Sequence, residues 1–177
     1  MNWKKFIFVW AIGLLFFVAI VSGQDGSANG RAAEQNLDAK YPGLRDQVEE
    51  LTKATISGDY LKVVDLTYPK VVAMVGGRDK MTSHLANEHR QDKESGFELQ
   101  AIDVGGPLQI EKVGSQLFAV LPIKLTAKTP DGVGSNDNWL VGISDDAGNH
   151  WTFIRGVEQK RFNLMFPGAA AKIRIPN

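Results

Sequence analysis

The stretch SHLANEHR, residues 83–90, sets two imidazoles and a carboxylate within one short helical length. Groups of this kind hold metals or move protons. Zinc-binding helices place two histidines three or four residues apart, so that both face one ion. His84 and His89 are five apart, and a helix turns them about 140° away from each other. A shared metal is therefore not expected, and no cofactor is implied. His84 and Glu88 do share a face at the i,i+4 spacing of an ordinary surface pair. Met81, His84, Leu85 and Glu88 follow one stripe, which places His84 at the border of an apolar surface. An imidazole there has a titration range suited to general acid or base work. A core histidine satisfied by one hydrogen bond is the simpler reading, and is favoured.

A second chemical signature is SDDAGNHWTF, residues 144–153. Ser144, Asp146, Gly148 and Trp151 have the spacing of an Asp-box, the hairpin signature repeated in secreted sialidases. Propeller repeats take roughly 40–50 residues each, so this chain cannot hold the required blades. The motif occurs once, and His150 stands where the box usually has Thr. Turn chemistry accounts for the pattern: Asp146 accepts backbone hydrogen bonds, Gly148 supplies positive φ, and Trp151 packs beneath. A hairpin is expected, not a glycosidase. The double glycines lack the following Lys-Ser or Lys-Thr of a phosphate loop, and no serine sits in a nucleophile elbow.

Composition narrows the classes further. The chain has 177 residues, 20 basic and 20 acidic side chains, and no cysteine. Near-neutral charge without a basic run argues against nucleic-acid binding. Lys4 and Lys5 precede an apolar run from Phe6 to Val21, followed by SGQD, the parts of a secretory signal cut after Gly23. The run lies at the lower limit of the roughly 17–25 apolar residues that span a membrane. The expectation is therefore export to the periplasm or the medium, with an uncleaved membrane anchor as the alternative. Cleavage would leave about 150 residues, enough for one domain with its own core. Without disulfides, that core must rest on apolar burial.

Four segments follow from the pattern: a signal peptide at 1–23, a polar spacer at 24–40, a domain at 41–157, and a short helix with an extended tail at 158–177. Leu44, Val48, Leu51 and Thr55 form a helical stripe, with Pro42 at its start and Gly58 at its end. Asp59 suits the N-cap of a second helix carrying Val63, Val64 and Tyr68. PKVVAMV forms a brief third helix stopped by Gly76 and Gly77. Asp79 is expected to cap a fourth, reaching about Lys93. From Phe97 the character changes to five strands, FELQAIDV, LQIEKV, QLFAVLPIKLTAK, NDNWLVGIS and HWTFIRG, joined by turn signals. Helices followed by an antiparallel meander specify an α+β fold, with N-terminal helices packed on a curved sheet.

That element order, together with TYPKVVAMVGGRDKM (residues 67–81) and the closing WTFI, resembles the nuclear transport factor 2-like superfamily over about residues 42–157. The closer likeness is to its small exported bacterial members. The resemblance implies a SnoaL-like or cystatin-like cone, with a pocket at its open end. Relatives include isomerases, dehydratases and polyketide cyclases, and also domains that only bind or dimerise. It makes Tyr68, His84, Asp103 and Arg155 the candidate pocket polars, with Trp139 and Trp151 as aromatic walls. Asp103 alternates with Leu99 and Ala101, but it also precedes Gly105 and Gly106, which suits a strand-end turn. Trp139 shares parity with Val141 and Ile143, which suits core packing. These residues match no catalytic set. The expectation is a non-catalytic domain that binds a small apolar or amphipathic ligand or a protein partner, and that forms a homodimer through its sheet. The alternative is a small-molecule isomerase, dehydratase or cyclase using His84 or Asp103 as general acid or base. A membrane enters only if the N-terminal segment stays uncleaved.

Overall fold

The computed structural model describes residues 41–176. The expected signal peptide and spacer lie outside the described residues. Among those described, no helix is long and apolar enough to cross a membrane.

Helix α1, Pro42–Ser57, ends where Gly58 takes the left-handed conformation at φ 75° and donates to the carbonyls of Ala54 and Thr55. Helix α2, Tyr60–Asp65, begins at Asp59, whose carboxylate accepts the Lys62 N–H. Helix α3, Pro69–Val75, stops at Gly76 with φ 101°. Helix α4, Arg78–Glu94, is entered through Gly77, and Asp79 sits inside the first turn. Asp79 is thus not the expected cap. It still places a negative charge near the helix N-terminus, where the macrodipole favours one.

Five antiparallel strands follow: β1 Glu98–Val104, β2 Gln109–Val113, β3 Gln116–Thr129, β4 Gly132–Ser144 and β5 Thr152–Arg155. The residues between the third and fourth expected strands, TPDGVGS, are mostly strand. Thr129 pairs with Gly132, so Pro130 and Asp131 alone make the turn and the remainder extends β4. The sheet order is β1-β3-β4-β5, with β2 also on β3. β1 pairs with β3 residues 123–128 and β2 with residues 116–120, end to end along one edge. Between them Gly105 N–H donates to Pro122 O and Leu108 N–H to Val120 O, both at 2.9 Å, so bonding continues across the break. The sheet curls over the helices. At its far edge Tyr68 N–H donates to Phe153 O, and Phe153 N–H to Leu66 O.

Both faces of the central strands are buried. On the inner face Leu117, Ala119, Leu121, Ile123 and Leu125 of β3 pack with Leu44 and Val48 of α1. On the outer face Phe118, Val120, Val141 and Ile143 are covered by Phe162, Phe166, Ala169, Ile173 and Ile175. These come from helix α5, Gln159–Met165, and the chain after it. Residues 158–176, expected as a short helix and tail, therefore form a layer of the core. A third cluster joins Ala54, Val63, Val64, Met81 and Leu85 among the helices.

Candidate functional site

Because the sheet curls and α1 crosses only part of its inner face, the two do not close on each other. A cavity of about 990 Å³ remains, walled by α1, α3, α4, α5 and the inner face of the sheet. Its sheet wall is apolar and buried, with Ile123, Leu140 and Phe153. Its outer wall includes Met74 on α3 and Leu164 on α5, which are 61% and 77% exposed. A smaller cleft of about 320 Å³ lies along the other flank of α1, against Gly105, Gly106 and Pro107.

Two of the sequence candidates meet on the large cavity's wall. His84 projects from α4 and Arg155 from the end of β5. His84 Nε2 lies 3.1 Å from Glu88 Oε1. That is ion-pair range, and the contact with His84 is among the causes that lower the Glu88 carboxyl. Burial raises the Glu88 carboxyl, against the charges of His84 and Arg155, which lower it. Desolvation brings the Arg155 guanidinium down to about 10, opposed by Glu88. Arg155 remains a cation at neutral pH, enclosed by protein yet facing the cavity.

The other candidates lie elsewhere, each for a stated reason. Asp103 is exposed, opposite Lys124 of β3. A bulge between Leu99 and Ala101 shifts the register, so simple alternation from Leu99 assigns Asp103 to the wrong face. Ile102 and Val104 take the cavity wall instead. Trp139 packs on the outer face with the C-terminal layer. Tyr68 also lies in that layer, its ring 5.2 Å from Phe166. Trp151 is buried against α1, edge-on to Tyr41 at 6.2 Å, and its Nε1–H donates to Gly148 O at 2.9 Å. None of these four lines the cavity. His84 and His89 do not converge; His89 instead lies against Tyr60. Among the described residues, no cluster of three or more metal-ligating side chains forms.

The SDDAGNHW turn is a self-contained hydrogen-bonded unit. Ser144 Oγ accepts the Gly148 N–H at 2.9 Å and donates to Asp146 Oδ1 at 2.9 Å. Asp146 Oδ1 also accepts the His150 N–H at 2.8 Å, and its other oxygen meets the His150 ring. These bonds, first the His150 backbone, hold the Asp146 carboxyl at about 2. The motif's hydrogen bonds run within the turn, to Gln47 of α1, and from Gln116 of β3 to Asp145.

Sequence reasoning missed Lys80 on α4 and Arg161 on α5, which also line the cavity. Arg161 had a readable signal. EQKRFNLMF is amphipathic, so a packed helix carrying a basic residue beside its buried Phe162 is legible in it.

Neither a family model nor a curated protein sequence matches the chain. A solved structure from Catenulispora acidiphila superposes with a TM-score of 0.52 at 14% identity, covering 74% of this chain and 99% of that one. A second, from Novosphingobium aromaticivorans and described as an NTF2-like protein with a cystatin-like fold, gives 0.47 at 15% identity, covering 73% and 86%. At these identities a likeness speaks of fold alone. A curled antiparallel sheet packed over α1, with α3, α4 and α5 walling its open side, is an α+β cone of the nuclear transport factor 2-like fold.

Proposed function

We propose that this protein is an exported, non-catalytic binding domain that takes a small apolar or amphipathic molecule into the large cavity. One observation carries the reading: about 990 Å³ of space bounded mainly by aliphatic side chains. Ligand sites are typically concave and apolar with a few placed polar groups, and run to about 1,000 Å³. Export is supported by the basic start and apolar run at residues 4–21. The pairing of two copies through the sheet finds less support, because residues 158–176 of the same chain already occupy the apolar part of the outer face.

The alternative, proton transfer on a small molecule, has one observation in its favour. His84 stands on the cavity wall beside Glu88. It loses its second proton carrier, since Asp103 faces solvent.

Native mass spectrometry of the protein from its own source tests the binding reading. A retained small molecule, or uptake of an added apolar dye, is expected. Bare polypeptide that takes up no dye overturns the reading. The same spectrum reports the first residue: a start at Gln24 supports export with cleavage, and a start at Met1 contradicts it.

A further inference from the structure

We propose that the mouth of the large cavity docks on an anionic lipid surface, with Met74, Val75 and Leu164 entering it while Lys80 and Arg161 meet its head groups. This goes beyond the binding reading. None of these side chains belongs to the apolar run at residues 6–21, so the contact is the domain's own.

The first ground is the sequence of α3. Five of its seven residues, from Val71 to Val75, are aliphatic, yet no residue of the helix is buried. Five consecutive residues turn through a full circle, so the helix is apolar on every side. A helix of that kind belongs inside a protein or a membrane. Val71 and Val72 are partly covered by the core, while Ala73, Met74 and Val75 stand exposed.

Position is the second ground. Large apolar side chains exposed singly need no special account. Met74 and Val75 on α3 and Leu164 on α5 are 61%, 40% and 77% exposed, and all three border one opening. A bilayer pressed against this rim covers it and brings acyl chains level with the apolar wall of the cavity.

Charge selects the partner. Lys80 of α4 and Arg161 of α5 line the same cavity, and among the described residues neither is ion-paired. Residues 69–81 and 158–165 carry Lys70, Arg78, Lys80, Lys160 and Arg161 against Asp79 and Glu158. Arg78 is held by Asp65 at 2.7 Å. That leaves four basic groups against two acidic ones, in a chain whose basic and acidic side chains number 20 each. An anionic membrane surface attracts each nearby Lys or Arg by roughly fivefold in affinity. A protein partner fits less well. An ordinary interface takes about 800 Å² from each side, and its centre is poor in lysine.

The chain has no cysteine, so Leu164→Cys takes a single fluorescent dye at a position that is already exposed. The test mixes the full chain, labelled there, with phosphatidylcholine vesicles made with or without phosphatidylglycerol. Both kinds carry a lipid with a nitroxide on its acyl chain, which quenches a dye that reaches the bilayer. Quenching is expected on the anionic vesicles at roughly tenfold lower lipid concentration than on the neutral ones. Lys80→Gln combined with Arg161→Gln is expected to remove that preference. A dye on Val133→Cys, 67% exposed at the start of β4 and away from the cavity wall, is expected to stay unquenched. That control separates docking by the mouth from attachment through residues 6–21. Met74→Cys repeats the measurement should Leu164→Cys fold poorly.

A dye on the rim that neither vesicle quenches overturns the proposal. Equal quenching by neutral and anionic vesicles overturns the anionic surface. A preference that survives in the folded double variant overturns the place given to Lys80 and Arg161. Equal quenching at Val133→Cys overturns docking by the mouth. Shielding of the rim dye without vesicles, growing with protein concentration, assigns the rim to a second copy of the chain and overturns the lipid surface. Uptake of an apolar dye by unlabelled protein is measured separately, so this proposal and the binding reading can each fail alone.

Discussion

Gln47 fastens the first helix to the Asp-box turn through both ends of its amide. Its Oε1 accepts the Trp151 backbone N–H at 2.6 Å, and its Nε2 donates to Asn149 O at 2.9 Å. Close approach makes this possible. A Cβ on Gly43 would come within 2.2 Å of Asn149 O, so α1 and the turn touch through a glycine.

Removing the amide leaves the Trp151 N–H and the Asn149 carbonyl without their partner. Gln47→Ala is expected to destabilise the protein by about 1–3 kcal/mol, read as a lower urea midpoint with an unchanged slope. Gly43→Ala is expected to cost about as much through forced displacement of the helix. Wild-type midpoints in both variants would mean that the clamp is idle.

The same turn predicts a pH signature. Asp146 titrates at about 2 in the folded chain, against an ordinary 3.8. A carboxyl depressed by folding contributes stability that is complete above its unfolded pKa and fades as pH falls through the folded one. Asp146→Asn is therefore expected to be less stable than wild type at neutral pH, with the gap narrowing between about pH 4 and pH 2. Denaturant midpoints across that range check it. A gap that stays constant with pH contradicts the assignment.

The C-terminal layer predicts a contrast between two neighbours on α5. Phe162 is fully buried, its ring edge-on to Phe118 at 5.8 Å and 5.0 Å from Phe166. Phe162→Ala is expected to cost about 3–5 kcal/mol. Leu164 is 77% exposed, and Leu164→Ala is expected to stay within about 0.5 kcal/mol of wild type. Thermal melts of the two variants decide this. Equal, small effects would mean that residues 158–176 do not belong to the core.

Helix limits were legible because their punctuation is local. Gly58 and Gly76 can adopt positive φ cheaply, and Asp59 supplies a capping carboxylate. Strand identity was legible from alternation, but the direction of side chains was not. One extra residue between Leu99 and Ala101 turned Asp103 outward. Trp139 was read in correct parity with Val141 and Ile143, yet parity names a face without saying which layer covers it. The run LFAVLPI in β3 carried the missing hint. An uninterrupted apolar strand is one buried on both sides, and the second cover had to come from the tail. Recognising the tail as a core layer would have brought Arg161 to the cavity and sent Tyr68 and Trp139 away from it.

The central claim, that the large cavity binds an apolar molecule, is tested most directly by filling it. Thr55 of α1 lines the space, and Thr55→Trp places an indole within it. Titration of the full chain with an apolar fluorescent dye should show saturable uptake by the wild type. A Thr55→Trp protein that melts like wild type should bind roughly tenfold more weakly or not at all. Equal affinity in the two proteins, or no saturable uptake by the wild type, would contradict the account.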